Sequence, residues 1–340
     1  MSRVDLEDYE LGERIGVGTV GTIFEAKHKK SGKIVAVKLL SAGVSYNELV
    51  VSRFAREMMI LEKLSHPNIL AYYGGGRDDN RQLFFVMELI RGGTLKDLLS
   101  QTGPLSWREA AEVSRQIASA LQHAHNHGII HRDLKPGNVF VTTEGVLKLG
   151  DFGIARDQHE QALTEAGLTV GTYSYMPPEL VRGEKELTGQ VDLYALGCVM
   201  FELVTGRPPY LGDNFAQIFE QHLKAEPAKL RQLGVDCPKR YEDLVLELLA
   251  KEPESRPFNA RAVQGYLGEL LESKPSDVQQ PGDKAANELT SAREMLSDRV
   301  ARGGVGSPME RPEVSWRTIA VISALILTAV LLGVLLGRVM

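Results

Sequence analysis

The stretch His131-Arg132-Asp133-Leu134-Lys135-Pro136-Gly137-Asn138 decides how this chain is interpreted. Asp133, its third residue, can accept a proton from an attacking hydroxyl group. Asn138 offers a carbonyl oxygen, the hard type of ligand that Mg²⁺ prefers. Lys135 can neutralise negative charge on a phosphoryl group during transfer. An octad of this kind has little structural reason to occur, so it indicates catalytic chemistry.

A second motif, Asp151-Phe152-Gly153, begins thirteen residues after Asn138 and follows the strand-like run Val146–Leu149. Asp151 supplies a second oxygen ligand for a metal ion, and Gly153 lets the backbone pivot. Alone, such a tripeptide would be interpreted as a turn. Its position after the octad makes a metal-binding role the better interpretation.

A glycine-rich segment, Gly16-Val17-Gly18-Thr19-Val20-Gly21, lies between two strand-like runs near the N-terminus. This context predicts a hairpin turn rather than a dinucleotide-binding loop, which would open a helix. The glycines would let the backbone approach a ligand closely and leave amides free for phosphate oxygens. Lys38 ends an apolar strand 17 residues later and can reach phosphates beneath the loop. Glu57, nineteen residues further on a predicted helix, is its expected counter-ion.

In order and spacing, these motifs resemble the eukaryotic-type (Hanks-type) protein kinase family, and most of all its bacterial serine/threonine members. The resemblance covers about residues 9–272 and implies an α+β, bilobal protein kinase fold. It implies a small β-rich N-lobe with one helix at residues 9–90 and a larger helical C-lobe at residues 91–272. Residues 1–8 are expected to form an N-terminal tail.

The hydrophobic pattern agrees with two such parts. Strand-like runs early in the chain predict strands at residues 9–11, 22–26, 34–38 and 83–87. Three- and four-residue spacing predicts a helix over residues 48–64, and a long amphipathic helix over residues 107–125 with Ser106 as its N-cap. Residues 191–205 are nearly all apolar, which predicts a helix buried on every side.

The resemblance also implies roles for individual residues. Asp133 would be the catalytic base, Lys135 would act beside it, and Lys38 would be held at the ATP phosphates by Glu57. Asn138 and Asp151 would hold Mg²⁺, or Mn²⁺ in its place, with ATP as the cosubstrate. The nucleotide-binding residues would lie in the glycine-rich hairpin, on the strand of Lys38 and in the hinge after the gatekeeper Met87: Ile15, Gly16, Gly18, Gly21, Ile23, Ala36, Lys38, Glu88 and Ile90.

Further matches support the whole fold. Glu179 would close the activation segment and pair with a buried Arg256, and Asp192 would brace the backbone of the catalytic loop. Pro177 departs from the alanine that is usual in the family, and Ile23 from valine. Both replacements are apolar, so neither puts catalysis in doubt.

Lys135 and Thr172 both match the serine/threonine branch, so the expected substrates are proteins that carry Ser or Thr. Arg132, which precedes the base, implies regulation by a phosphate on the activation segment at residues 154–176. Thr164 and Thr169 are the candidate phosphosites, because a phosphate adds nearly two negative charges that suit an arginine.

Composition excludes several other classes of protein. The 340 residues include 39 Lys and Arg against 44 Asp and Glu, a net charge of −5 that provides no positive field for nucleic acid. Cys198 and Cys237 are the two cysteines, too few for a disulfide framework or a four-thiolate metal site. Residues 1–16 contain no apolar run, so we expect no secretory signal peptide.

Residues 273–317 differ from the preceding part of the chain. They contain four prolines, balanced charges and Trp316 as their one aromatic residue, a composition that predicts a disordered juxtamembrane linker. Within it, the spacing of Leu289, Ala292, Leu296 and Val300 is compatible with one weakly amphipathic helix.

Residues 318–337 carry no charge and, as a helix, would span about 30 Å, the thickness of a bilayer core. They predict a single transmembrane helix in the lipid bilayer, followed by a short tail at residues 338–340; the alternative is a buried core helix. Gly333 and Gly337 have the G-x-x-x-G spacing of helix dimers, which makes a homodimer possible. Arg311 and Arg317 favour a kinase domain that faces the cytoplasm.

Two other functions are compatible with the same fold. A pseudokinase-type signalling scaffold would bind partners without transferring phosphate, but such proteins commonly lack part of the catalytic set that is present here. A small-molecule kinase of the antibiotic-phosphotransferase type is disfavoured by the Glu179 and Arg256 matches, which indicate a protein substrate.

Overall fold

The N-terminal part of the chain is an antiparallel five-stranded sheet with strand order β1-β2-β3-β5-β4. The computed structural model describes residues 4–17, 21–41, 45, 61, 63–152, 170–272 and 292–303, with the backbone alone at 170–172. All of these residues belong to one unit, Met1–Val305. The strands of the sheet are β1 Tyr9–Val17, β2 Gly21–His28, β3 Ile34–Leu40, β4 Tyr72–Arg77 and β5 Leu83–Met87.

Side-chain alternation along β3 gives the sheet two different faces. Val35 and Val37 pack with Ala26, Phe84 and Val86 in the core of one face. Ala36 and Lys38 therefore lie on the opposite face, because successive side chains of a strand alternate. Ala36 packs there with Leu70 and Met87. The spacing of two residues between Ala36 and Lys38 thus places both on the face used by the candidate site.

Gly21 is required by the sheet itself. A Cβ atom built on it would lie 2.1 Å from the carbonyl oxygen of Leu39 on the neighbouring strand. Any other residue would force β2 away from β3 at the base of the glycine-rich hairpin. Gly21 therefore has a packing role in addition to the expected role in phosphate binding.

The four strands expected from the sequence are confirmed within β1, β2, β3 and β5. The fourth strand in the chain, β4, was not predicted, because Gly74, Gly75 and Gly76 remove the alternation that marks a strand. Most of the helix expected at residues 48–64 lies outside the described residues.

The second part of the chain is mainly helical, as expected. Its helices are α1 Leu95–Thr102, α2 Trp107–Asn126, α3 Pro178–Val181, α4 Gln190–Thr205, α5 Phe215–Lys224, α6 Lys239–Leu248 and α7 Ala260–Glu272, and a further helix, α8, spans Ala292–Gly303. Ser106 and Glu109 form a capping box at the start of α2. Residues 191–201 of α4 are buried without interruption, which confirms the expected central helix.

A short hairpin joins the octad His131–Asn138 to the second motif, which begins at Asp151. Its strands are β6 Val139–Val141 and β7 Leu147–Leu149, which pair in register. The Leu149 carbonyl accepts a hydrogen bond from the Leu70 amide at 2.9 Å, and the Leu149 amide donates to the Asn68 carbonyl at 2.8 Å. The hairpin is thus attached to the segment that leads into β4.

The expected pair between Glu179 and Arg256 is present and buried. The guanidinium group of Arg256 donates to both carboxylate oxygens, at 2.6 and 2.9 Å. It also donates to the carbonyl groups of Gln190, Ala250 and Lys251. This pair ties α3 to the start of α4 and to the turn after α6, and it fixes the end of the activation segment against the helical lobe.

The weakly amphipathic helix expected within the linker is confirmed at residues 292–303, so the broader prediction of a disordered linker needs correction there. These residues form α8, and Leu296 and Val300 of this helix are buried in the main hydrophobic core. Composition predicted disorder here because it averages over 45 residues, whereas the burial depends on two side chains that meet a complementary surface. The rest of the linker, including Leu289, lies outside the described residues.

No helix among the described residues is long and apolar enough to cross a membrane. The transmembrane prediction concerns residues 318–337, which lie outside the described part of the chain, and it stays a prediction.

Candidate active site

The octad His131–Asn138 forms a loop that is closed on itself by hydrogen bonds. The amide nitrogen of Asn138 donates to the backbone carbonyl of Asp133 at 2.8 Å and to its carboxylate at 3.1 Å. Lys135 Nζ lies 2.8 Å from the same carboxylate. Three residues that the sequence selected are therefore brought together around one carboxylate, at the start of the short turn Pro136–Asn138.

A buried carboxylate on α4 holds the start of this loop. The amides of His131 and Arg132 donate to Asp192 at 2.9 and 2.8 Å, and His125 Nε2 donates to it at 2.7 Å. Burial alone would raise the pKa of Asp192, but the hydrogen bond and charge of His125 outweigh it, so the pKa lies below its usual value. Asp192 is thus an anion that braces the loop, as expected. His125, six residues before His131, was missed by the sequence analysis.

Two residues of the site have strained backbones. Arg132 has φ 63° and Asp151 has φ 45°, in the left-handed region that non-glycine residues seldom adopt. Such a conformation costs of order 1–3 kcal/mol and persists where surrounding contacts impose it. At Arg132 the contact is the hydrogen bond to Asp192. Both outliers belong to the motifs selected for catalysis.

Lys38 and Asp151 face each other across the two lobes. Lys38 Nζ lies 3.0 Å from Asp151 Oδ1. The Lys38 side chain is 17% exposed and that of Asp151 is 41% exposed, so the pair opens towards solvent on the side of the carboxylate. Glu57, the expected counter-ion of Lys38, lies outside the described residues.

The second motif is fixed to the first by its neighbours. The Gly150 amide donates to the Asn138 carbonyl at 3.0 Å, and the Gly150 carbonyl accepts from His131 Nε2 at 3.0 Å. The rings of His131 and Phe152 meet with centroids 4.7 Å apart, tilted by 48°. Both rings are buried, so they fix the start of the second motif against the octad.

An apolar cluster lies where the two lobes meet. Ala36, Leu70 and Met87 are buried, and partly buried apolar side chains pack against them: Ile23, Tyr72, Leu89, Ile90 and Phe140. Ile23, Ala36 and Ile90 were selected from the sequence, and Phe140 was not. Its position two residues after Asn138, in the middle of β6, is the signal that would have found it.

The hinge after Met87 is held by a salt bridge that the sequence did not reveal. The Glu88 carboxylate accepts from the Ala71 amide at 3.2 Å and lies 3.1 Å from Lys148 Nζ on β7. The side chain of Glu88 therefore supports the hinge. Its backbone amide donates to the Ala71 carbonyl at 2.8 Å.

Of the other residues that the sequence predicted for the site, only some lie in the part of the chain that the structure describes. Ile15 and Gly16 lie in β1, where Gly16 pairs with Ile23 across the hairpin. The tip of this hairpin, including Gly18, lies outside the described residues, as do Glu57, Gly153 and both candidate phosphosites, Thr164 and Thr169.

The donor set fits a hard divalent cation. Because the Asn138 amide nitrogen is used in both bonds to Asp133, its carbonyl oxygen is the atom left to act as a ligand. Asp151 adds a carboxylate, and both oxygen donors suit Mg²⁺ or Mn²⁺. Among the described residues there is no group of three His, Cys, Asp or Glu side chains that could hold a metal by itself. Phosphate oxygens would complete such a site.

We predict that Asp192→Asn lowers the free energy of unfolding by about 1–3 kcal/mol. An amide can replace one acceptor oxygen, but its NH₂ group would then face an N–H donor of His131, Arg132 or His125. Chemical denaturation measures the change. Asp243→Asn, which removes an exposed pair with Lys239, is the matched control and should change stability by less than about 0.5 kcal/mol. Equal losses in the two variants would contradict the bracing role.

Comparison with known proteins identifies the family. Over 260 residues the chain is 36% identical to a probable serine/threonine-protein kinase PknB of Bifidobacterium longum, covering 73% of this chain and 37% of that protein. It is 35% identical over 275 residues to PknB of Mycolicibacterium smegmatis, covering 79% and 44%. It is 36% identical over 310 residues to PknD of Mycobacterium tuberculosis, covering 88% and 46%.

The chain thus spans less than half the length of these curated relatives. The expected resemblance to bacterial serine/threonine kinases is confirmed. The protein kinase domain matches residues 9–266, more than half of the 340 residues, and the chain belongs to the protein kinase family.

Proposed function

We propose that this chain is an ATP-dependent protein serine/threonine kinase. The observation that carries the proposal is the arrangement around Asp133, whose carboxylate contacts both Lys135 and Asn138. The pair of Lys38 and Asp151 supports it, because Lys38 supplies a cation from the facing lobe and Asp151 supplies a further oxygen ligand. A scaffold that only binds partners has no need of this set.

The apolar cluster between the lobes suits the adenine ring of ATP. Ala36 and Met87 come from the sheet, and Phe140 comes from β6 of the helical lobe. A planar ring between these side chains would place the phosphates towards Lys38, which lies on the same face of β3 as Ala36. Lys38 would then bind the phosphate oxygens and hold them towards Asp133.

The reaction follows from the positions of these groups. The oxygen of a substrate Ser or Thr hydroxyl attacks the γ-phosphorus, the bond from that phosphorus to the bridging oxygen of ADP breaks, and the hydroxyl proton goes to the carboxylate of Asp133. Lys135 stabilises the charge on the transferring group. Asn138 and Asp151 would hold Mg²⁺ or Mn²⁺, which neutralises phosphate charge when bound.

We expect Asp133→Asn to lower phosphoryl transfer to a generic protein substrate by about 10²- to 10⁴-fold, because the amide cannot accept the proton. Transfer of labelled phosphate measures the rate, and the shift in melting temperature on addition of Mg-ATP measures nucleotide binding, which should persist. Asp243→Asn is the matched control and should keep the wild-type rate. Nucleotide binding without transfer by the wild-type chain would favour the scaffold alternative.

We further propose that the kinase phosphorylates its own activation segment. Arg132 adjoins the proposed base Asp133, and a phosphate brings the charge that an arginine binds well. Thr164 and Thr169 are the proposed acceptors, and trans-phosphorylation between two copies is the proposed route.

Incubation with Mg-ATP should therefore add phosphate at Thr164, Thr169 or both, as measured by mass spectrometry of peptides from residues 154–176. The Asp133→Asn variant, treated in the same way, should remain unmodified. An unmodified segment in a wild-type preparation that phosphorylates a protein substrate would show that the proposed regulation is wrong.

We also propose that residues 318–337 anchor the chain in a membrane as a single-pass helix, with the kinase domain facing the cytoplasm. The uncharged stretch of 20 residues supports the anchor, and the need for ATP supports the orientation. Gly333 and Gly337 support a homodimer within the bilayer, which would raise the local concentration for trans-phosphorylation.

We expect the expressed full chain to stay in the membrane fraction after alkaline extraction, and a variant with both Leu327→Arg and Leu331→Arg to be released. Each arginine costs about 2.5–3.5 kcal/mol at the centre of a spanning helix. A Leu327→Phe variant is the apolar control and should remain in the membrane. Extraction of the wild-type chain would overturn the anchor.

A further inference from the structure

The helix α8 lies outside the residues matched by the protein kinase domain, yet it packs against the catalytic unit. Leu296 is 0% exposed and Val300 is 2% exposed. We call the surface that covers them the tail groove. It is formed by α1, by the first turn of α2 and by the turn Thr142–Gly145 between β6 and β7.

An ion pair closes the middle of the tail groove. Arg299 Nε and Nη2 donate to the two carboxylate oxygens of Glu109, at 2.8 and 3.0 Å. Arg299 Nη1 also donates to the carbonyl groups of Thr102 and Pro104, each at 3.3 Å. This bidentate geometry is the strong form of an arginine–carboxylate pair.

Glu109 is a buried carboxylate, and this burial makes the ion pair with Arg299 important for its stability. Its side chain is 4% exposed, and it accepts hydrogen bonds from the amide and hydroxyl groups of Ser106 in the capping box. Burial alone would raise the pKa of Glu109, but the hydrogen bonds from Arg299 and Ser106 hold it below its usual value. Loss of Arg299 would leave a buried carboxylate without its cation, which is costly.

The turn between β6 and β7 is shaped to receive the helix. Ser297 Oγ donates to the Thr143 carbonyl at 2.8 Å, and Arg293 Nε donates to the Glu144 carbonyl at 3.3 Å. Gly145 has φ 70°, and a Cβ atom on it would lie 2.7 Å from the Arg293 carbonyl oxygen. A side chain at this position would therefore push α8 away.

This turn belongs to the hairpin that lies between the two proposed metal ligands, Asn138 and Asp151. β6 begins directly after Asn138, and β7 ends two residues before Asp151. Gln116 of α2 supports the same turn, since it donates to the Gly145 carbonyl at 3.2 Å and accepts from the Leu147 amide at 2.8 Å. A helix that presses on the turn therefore acts on the element that sets the distance between Asn138 and Asp151.

The contacts that hold α8 in the tail groove are few enough for the docking to be reversible. Two buried apolar side chains, one ion pair and a few hydrogen bonds to backbone carbonyl groups hold a helix of 12 residues, a length that is marginal for a free helix in water. The segment is joined to the end of α7 by residues 273–291, so it meets the groove at an effective concentration of about millimolar. Helix formation and docking are expected to occur together.

We propose that the tail groove is a docking site for this chain's own segment 292–303, and that its occupancy supports phosphoryl transfer by steadying the hairpin between Asn138 and Asp151. The second part rests on the proposed kinase function, whereas the first does not. Undocking would leave the catalytic residues present but less well held.

Hydrogen–deuterium exchange of the full chain tests the docking. Amides of residues 292–303 should be protected in the wild type and exchange at least about tenfold faster in Leu296→Asp and in Arg299→Ala. Arg302→Ala is the matched control, because Arg302 is exposed and donates to the Asp298 carbonyl of its own helix. It should keep wild-type protection. Equally fast exchange in the wild type and Leu296→Asp would overturn the docking site, whatever the activity of the protein.

Phosphoryl transfer by the same variants tests the consequence. Leu296→Asp and Arg299→Ala should lose about two- to thirtyfold in rate, the range of effects carried through packed side chains, while Arg302→Ala should not. A synthetic peptide of residues 288–305, at millimolar concentration, should restore Leu296→Asp, and the same peptide with Arg299→Ala should not. Wild-type rates in undocked variants would overturn the effect on transfer, and an inactive wild type with a protected α8 would overturn the kinase function instead.

Discussion

A buried anion, Asp192, fixes the part of the chain on which the site depends. Its carboxylate sits on the most deeply buried helix, α4, and receives the amides of His131 and Arg132 together with the ring of His125. Burial of a charge is costly unless hydrogen bonds replace the lost water, and these three donors do so. In return, the anion holds Arg132 in a backbone conformation that it would not adopt alone. The hydrogen bonds from His131 and Arg132 to Asp192 thus set the direction of the chain at the start of the octad.

From that point the two motifs are assembled by short-range contacts. His131 reaches the Gly150 carbonyl and the ring of Phe152, and the Gly150 amide returns to the Asn138 carbonyl. The thirteen residues from Asn138 to Asp151 form a hairpin that brings its ends together. The contacts that hold the octad and this hairpin also place Asp151 opposite Lys38.

The sequence predicted those features that local pattern encodes. Local pattern was enough to predict strands β2 and β3 from strand-like runs, the N-cap of α2 at Ser106 from helical spacing, and the buried α4 from its nearly uninterrupted apolar residues. The kinase motifs led to Asp133, Lys135 and Asn138, which the structure brings together. The salt bridge of Glu88 with Lys148 and the support from His125 could not be predicted, because each joins residues distant in sequence whose types occur everywhere on protein surfaces. Strand β4 was missed since its pairing with β5, rather than its glycines, makes it a strand.

The helix α2 connects these separate findings. It spans about 30 Å and presents polar side chains to different partners at three positions along its length. Glu109 contacts Arg299 near its start, Gln116 contacts the hairpin turn at its middle, and His125 contacts Asp192 near its end. Isolated polar groups at such depths would destabilise the fold, so each partner contributes directly to stability. The residues of α8 fall within the predicted linker 273–317, whose composition is polar with balanced charges. Arg299 is one of the charged residues that make this segment polar. Because it pairs with the buried Glu109, it is also a residue that holds α8 in place.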